Sequence, residues 1–194
     1  MRYLGTISAM MLAALGAALA DETPDPIDYD VIAVKRHVLR VTVGGEQQLH
    51  EGDHAISGDY LRTGSRSAAD LEVPELAAMF HVGAKTRFRL AHDRPGVLID
   101  VERGSLRGVF GKLADSDDRE RLVTTPSAIL AVRGTDYGVD VEKDGDTTVT
   151  VFEGTVEVRG LGVEVESVQI QAGHATRIRK GRAPTAPVVH GLST

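Results

Sequence analysis

The chain contains no cysteine and no tryptophan, and only 4 Tyr and 4 Phe in 194 residues. Without cysteine there is no disulfide, no thiolate zinc ligand and no thiol nucleophile. Lys and Arg (22) are outnumbered by Asp and Glu (28), and they are scattered among the acids. No basic stripe interleaves with aromatics, which speaks against nucleic-acid binding. Beyond residue 20 there is no long apolar run and no stretch with sustained helical periodicity. The aliphatic residues Val, Leu, Ile and Ala must therefore make the core. A chain of this length is expected to be one domain and to bury about 70% of its unfolded surface.

The long apolar run that does exist is at the start. Arg2 precedes an uncharged stretch from Leu4 to Ala20, Ala18-Leu19-Ala20 has small residues at the cleavage-site spacing, and Asp21 and Glu22 follow. This is the layout of a secretory signal peptide, residues 1–20, cleaved after Ala20. The expectation is an exported, periplasmic chain with no membrane span after cleavage. Removing the leader takes Arg2 with it and leaves the mature chain more acidic by one charge.

The remainder reads as short strands. Residues 21–30, with Pro24 and Pro26, are expected to be a flexible lead-in. An all-β domain should occupy 31–181, and 182–194 a flexible tail. Strands are expected at 31–34, 37–43, 68–73, 86–90, 97–101, 106–110, 163–165, 168–170 and 176–178, and 122–125 leads into the central stretch. Residues 48–62 read as turns. The segment 76–82 reads as strand in spite of its Ala and Leu content. The organising stretch is Thr124–Gly160. Alternation in Val139 and Val141, and again in Val149 and Val151, flanks Asp144-Gly145, the signal of a hairpin with a two-residue type I′ turn. So many short strands predict an all-β fold, twisted and solenoid-like, with a β-sandwich as the alternative.

A weak internal repeat supports the winding. Val101–Leu106 resembles Val151–Val156, and Ile170–Ala175 is a looser copy. Each is a strand, a glycine corner and a second strand, with Gly104 read as a stop between partner strands. A hairpin protein without repeats would show the same pattern.

Catalytic motifs are few. His50-Glu51-Gly52-Asp53-His54 matches H-E-x-x-H, but zinc proteases need both histidines on one helical face, and Gly52 and the surrounding turns offer no helix. The other histidines, His37, His81, His92, His174 and His190, form no cluster. Residues 114–120, around Asp115-Ser116-Asp117-Asp118, lack the EF-hand spacing and read as an exposed acidic loop. No nucleophile elbow, phosphate loop or triad spacing is present. No enzyme activity, metal or cofactor is expected.

Several segments, in order, resemble the FecR-type periplasmic domain. They are the run Gly58-Asp59-Tyr60-Leu61-Arg62-Thr63-Gly64-Ser65-Arg66-Ser67-Ala68, then Val101–Leu106, Thr125-Pro126, Val132-Arg133-Gly134-Thr135-Asp136-Tyr137, Glu153-Gly154-Thr155-Val156 and Ala172-Gly173. The resemblance spans roughly 58–180. It implies an all-β, solenoid-like domain without enzymatic activity. Known members are iron-uptake signalling proteins in which this domain, carried on a membrane span, receives a signal from an outer-membrane receptor. Here a signal peptide stands where members carry a cytoplasmic segment and span. That argues for a free-standing periplasmic adaptor module with an envelope protein as partner, bound by strand addition at a sheet edge. The alternative is a structural, self-associating envelope protein.

The residues singled out are Thr125, Pro126, Arg133, Gly134, Thr135, Asp136, Gly154 and Gly173, all with structural roles. Gly134 and Gly154 suit tight corners. Arg133 and Asp136 are candidates to pair or to cap nearby turns. Pro126 pushes Thr125 out of the α region.

Overall fold

The computed structural model describes residues 26–90, 95–114, 117, 119–162 and 167–191. The signal peptide and its cleavage site, His92, three residues of the acidic loop (115, 116 and 118) and the strand expected at 163–165 lie outside the described residues. Among the described residues the fold is all-β, and no helix is long and apolar enough to cross a membrane.

Nine strands precede the middle of the chain: β1 (Asp28–Lys35), β2 (Val38–Thr42), β3 (Gly45–Gln48), β4 (His54–Ile56), β5 (Tyr60–Thr63), β6 (Ala68–Val73), β7 (Ala78–Val82), β8 (Arg87–Leu90) and β9 (Val97–Phe110). Eight follow: β10 (Leu122–Thr124), β11 (Ala128–Val132), β12 (Asp136–Val141), β13 (Thr147–Glu153), β14 (Thr155–Gly160), β15 (Val168–Gln171), β16 (His174–Ile178) and β17 (Val188–Val189). They form two hydrogen-bonded layers. One runs β4-β1-β6-β7-β9-β12-β13-β16-β17. The other runs β3-β2-β5-β8-β9-β10-β11-β14-β15. The layers share β9, and the arrangement is open rather than closed. The chain steps repeatedly from one layer to the other, a path that fits both a solenoid-like winding and a sandwich.

Period-two alternation makes these strands. β7 and β11 bury every second side chain, and β14 does so with Val156 and Val158 between Thr155, Glu157 and Arg159. Successive side chains in a strand face opposite sides, so one face joins the core and the other meets solvent. The buried faces of both layers form one apolar cluster that includes Tyr29, Leu71, Phe80 and Tyr137 from one layer and Leu61, Phe88, Leu130 and Ile170 from the other. Each such side chain contributes about 1.5–3 kcal/mol on burial.

Several boundaries differ from the sequence reading. The lead-in is not free as far as residue 30: β1 begins at Asp28, because Tyr29 is fully buried, pairs with Ala55 and donates its hydroxyl to the Leu98 carbonyl at 2.6 Å. The stretch read as turns at 48–62 holds β4 and the start of β5. The expected strand at 76–82 begins only at Ala78, since Pro74 opens a single 3₁₀ turn, Pro74–Leu76, closed by Ala77 in the left-handed region. Pro suits that first position, where its missing N–H is not needed. In the tail, β17 pairs with β16, and the Thr185 carbonyl accepts from the Thr176 hydroxyl.

The hairpin at Asp144-Gly145 is present, with a longer turn. Glu142 N–H donates to the Asp146 carbonyl, and Gly145 N–H to the Glu142 carbonyl. Three residues, with Gly145 left-handed, close the hairpin in place of a two-residue type I′ turn.

Gly104 is not a stop between partner strands. β9 runs straight through it and changes layers there: Val97–Arg103 pair with β8 and β10, and Gly104–Phe110 pair with β7 and β12. At Gly104, φ is +106°, and an added Cβ would lie 2.5 Å from Thr86 Cα. The other two repeat copies are also layer crossings. Gly154 joins β13 to β14, and Gly173 joins β15 to β16. The repeat is thus one device used three times, a glycine corner that carries the chain between layers.

Candidate functional site

The residues singled out from the sequence fall at opposite ends of β12. Thr125 and Pro126 are at the Val141 end. Arg133, Gly134, Thr135, Asp136 and Gly154 are at the Asp136 end, and Gly173 stacks beyond Gly154.

At the Val141 end the polar groups are fully used. Thr125 Oγ1 accepts from the backbone N–H groups of Ser127 (3.3 Å) and Ala128 (3.0 Å). Thr147 Oγ1 donates to Thr125 Oγ1 at 2.9 Å, and Ser127 Oγ donates to Thr147 Oγ1 at 2.7 Å. This buried chain ties the turn before β11 to the start of β13 in the other layer. Pro126 packs against the Gly145 turn, 3.1 Å from where a Cβ would stand on that glycine. A second knot lies in the N-terminal half. Thr63 Oγ1 donates to the Gly83 carbonyl (2.6 Å) and accepts from Thr86 N–H (2.9 Å), and Thr86 Oγ1 accepts from Ser105 N–H (3.0 Å).

At the Asp136 end the corners touch one another. A Cβ on Gly154 would meet the Gly134 carbonyl at 2.7 Å, and Ala172 N–H donates to the Gly154 carbonyl at 3.0 Å. Gly134 is left-handed (φ +64°), with only Lys112 Cγ near a would-be Cβ. Arg133 and Asp136 do not pair. Asp136 accepts two hydrogen bonds from Arg107, from Nε at 2.8 Å and Nη2 at 2.6 Å. The Arg107 guanidinium holds that carboxyl below its usual range, burial opposing. Arg107 also lies over the half-exposed Phe152 ring, 5.1 Å from its centroid.

Beside this end a groove of about 840 Å³ opens on the outer face of the second layer. Leu122, Ala131, Glu157 and Gln169 lie in one cross-strand row along its floor, since each pairs with the next across β10, β11, β14 and β15. Lys112, Leu113, Arg119 and Arg121 come from the segment after β9, and Arg133 and Gly134 from the corner after β11. Asp117 is engaged by Arg119, whose guanidinium holds its carboxyl at about 2.

Arg121 is the unusual member. It is 3% exposed, and Nη1 donates to the carbonyls of Leu76 (3.1 Å) and Gly111 (2.9 Å). Its guanidinium lies over Phe110 at 5.2 Å, and Phe110 stacks on Tyr137 at 5.9 Å. Among the described residues no carboxylate is hydrogen-bonded to it. Behind the same corner, Thr135 Oγ1 and Tyr137 Oη are buried without a hydrogen-bond partner. Burial pushes the Tyr137 hydroxyl strongly up, so it is protonated at any ordinary pH.

Sequence reasoning did not single out Arg121, Lys112 or Arg107. Arg121 sits beside an acidic run and reads as one more surface charge, and no spacing marks it as buried. The H-E-x-x-H match is a turn: Gly52 has φ +86°, His50 faces Asp53, and His54 faces Asp30 at 2.8 Å. Among the described residues no group of three potential metal ligands converges.

The family model described as FecR protein matches residues 59–157. The chain belongs to the FecR family. The match takes in Thr125, Pro126, the Arg133–Asp136 corner and Gly154, and it ends before Gly173. No curated protein matches the sequence. Two solved structures of a "putative anti-sigma factor" from Parabacteroides distasonis share the fold, with a TM-score of 0.53 at 14% identity over 67% of this chain. The chain spans 59% of the length of those structures, and at that identity the likeness is one of fold.

Proposed function

We propose that this FecR domain is a non-catalytic adaptor in envelope signalling that works by protein–protein contact, exported to the periplasm after cleavage behind Ala20. The observation that carries the reading is the family match over 59–157, a span that contains the corner motif and part of the groove beside it. The fold shared with a protein described as a "putative anti-sigma factor" is in keeping with a regulatory role. Arg121, which lines the groove and among the described residues bonds only two backbone carbonyls, favours contact with a partner over self-contained packing, because buried polar groups are ordinarily satisfied. A second contact surface is available at β15. This four-residue edge strand, Val168-Gln169-Ile170-Gln171, carries no charge and no proline, the devices that usually block strand addition.

In-cell crosslinking of the mature protein, with mass spectrometry of the adducts, tests the reading. A receptor or a membrane-anchored regulator among the adducts is the expected outcome. Self-crosslinks alone would replace it with a structural, self-associating role. A mature N-terminus at Asp21 is the expected result of sequencing the exported chain.

A further inference from the structure

The groove beside the Gly134 corner holds a guanidinium in an unusual position. Arg121 is almost wholly buried, yet its only hydrogen bonds run from Nη1 to the carbonyls of Leu76 and Gly111. An arginine presents N–H donors in a fixed planar fork. Among the described residues, the donors on Nε and Nη2 have no hydrogen-bond partner. Arg121 lines the groove, a space beside it in which an acceptor could stand.

The surroundings define that acceptor. Among the described residues the groove lining carries four cations, Lys112, Arg119, Arg121 and Arg133, beside the carboxylates Asp117, Glu120 and Glu157, in a chain whose formal net charge is −6. Arg119 and Asp117 neutralise each other through their direct hydrogen bonds. Among the described residues neither Lys112 nor Arg133 has a hydrogen-bond or ion-pair partner. A phosphate dianion would place surplus negative charge beside Glu120 and Glu157, which favours a monoanion. Leu113, Leu122, Ala131 and Val132 supply apolar lining, so the anion should arrive on an apolar stem. A volume of about 840 Å³ exceeds what a lone carboxylate needs and is of the size that binds a small organic group or a peptide end.

We propose that this groove is a carboxylate-binding site in which Arg121 grips the C-terminal carboxylate of an apolar peptide from a partner protein, with Lys112 and Arg133 at its rim. Arginine forks bind carboxylates through paired, charge-assisted hydrogen bonds. Burial and the neighbouring positive charges of Arg133 and Arg119 pull the Arg121 guanidinium below its usual range, while Asp117 opposes them; a bound carboxylate compensates the unpaired charge. The inference deepens the adaptor reading, on which its biological meaning rests, but its test needs only the purified protein. Failure here would leave the crosslinking result untouched.

The test is a titration of the ¹⁵N-labelled protein, following the Arg121 Nε–H resonance and the backbone amides of Gly134 and Ala131. The probes are an N-acetylated Val-Leu-Ala peptide with a free C-terminal carboxylate, the same peptide as its amide, acetate and inorganic phosphate. The acid peptide should shift the Arg121 signal saturably, the amide should not, and acetate should reproduce the shift only at far higher concentration. Equal effects of acid and amide, or an unmoved Arg121 signal, would overturn the proposal. Tighter binding of phosphate or acetate than of the peptide would reassign the site to a free small anion and overturn the peptide as source. Arg121→Lys keeps the charge and loses the fork. Because it also disturbs two buried carbonyls, the exposed pair Lys112→Ala and Arg133→Ala serves as the second variant, expected to weaken the peptide by about tenfold with an unchanged thermal midpoint. Unchanged affinity in that pair would also count against the site.

Discussion

The two ends of β12 are built on opposite terms. At the Val141 end the buried hydroxyls of Thr63, Ser67, Thr86, Thr125, Ser127 and Thr147 all have hydrogen-bond partners. At the Asp136 end, among the described residues, Thr135 Oγ1 and Tyr137 Oη have none, and Arg121 is buried without a carboxylate partner. Satisfied buried networks rigidify a fold, and unsatisfied ones cost stability. One end therefore serves to join the layers. The other keeps donors in reserve, and it is the end with the groove.

The comparison breaks most readily at Gly104. Gly104→Val combines a positive φ with a collision against Thr86 backbone, and it should cost about 3 kcal/mol or more, enough to abolish a cooperative thermal transition. A folded variant with an unaltered midpoint would remove the layer-crossing account. Gly134→Val tests the other end. There the strain is conformational only, since a Cβ meets little but Lys112, and a loss of about 1–3 kcal/mol is expected in urea denaturation. Thr147→Val strips the central hydroxyl from the buried chain and leaves Ser127 Oγ without its acceptor, for a loss of about 1–2 kcal/mol.

Tyr137→Phe sharpens the contrast because it should not destabilise. Its hydroxyl is buried and unpaired, so removal should be neutral or stabilising by up to about 1 kcal/mol. A clear drop in midpoint would mean that the hydroxyl has a partner and that the two ends are alike.

The smallest effect concerns Asp136. Arg107 depresses its folded pKa below the usual 3.8. The stability from the pair is therefore fully present above about pH 4 and is lost as pH falls through the folded value. Arg107 is half exposed and solvent screens the pair, so the contribution is small. Asp136→Asn should lower the thermal midpoint slightly at neutral pH and remove this part of the acid dependence. An identical acid-unfolding profile in both proteins would discard the pair as a stabilising element.

Much of this fold is written locally. Alternation in Val156 and Val158, or in Ala128, Leu130 and Val132, marks strands because a two-residue period needs no knowledge of the neighbours. Repeated strand–glycine–strand segments foretell corners, since few other residues adopt positive φ easily. The order of short motifs was enough for the family. What could not be read locally is which strand lies beside which. β9 looks like two partner strands and is one strand serving two layers, because Thr86, eighteen positions away, crowds Gly104 into a bend. Tyr29 looks like part of a loose leader until Ala55 and Leu98 enclose it. Arg121 looks like a surface charge until Phe110, Leu76 and Gly111 close over it. Periodicity and turn chemistry act between near neighbours in the chain and are legible there, whereas burial and unpaired charge arise from contacts across tens of residues and exist only once the layers have assembled.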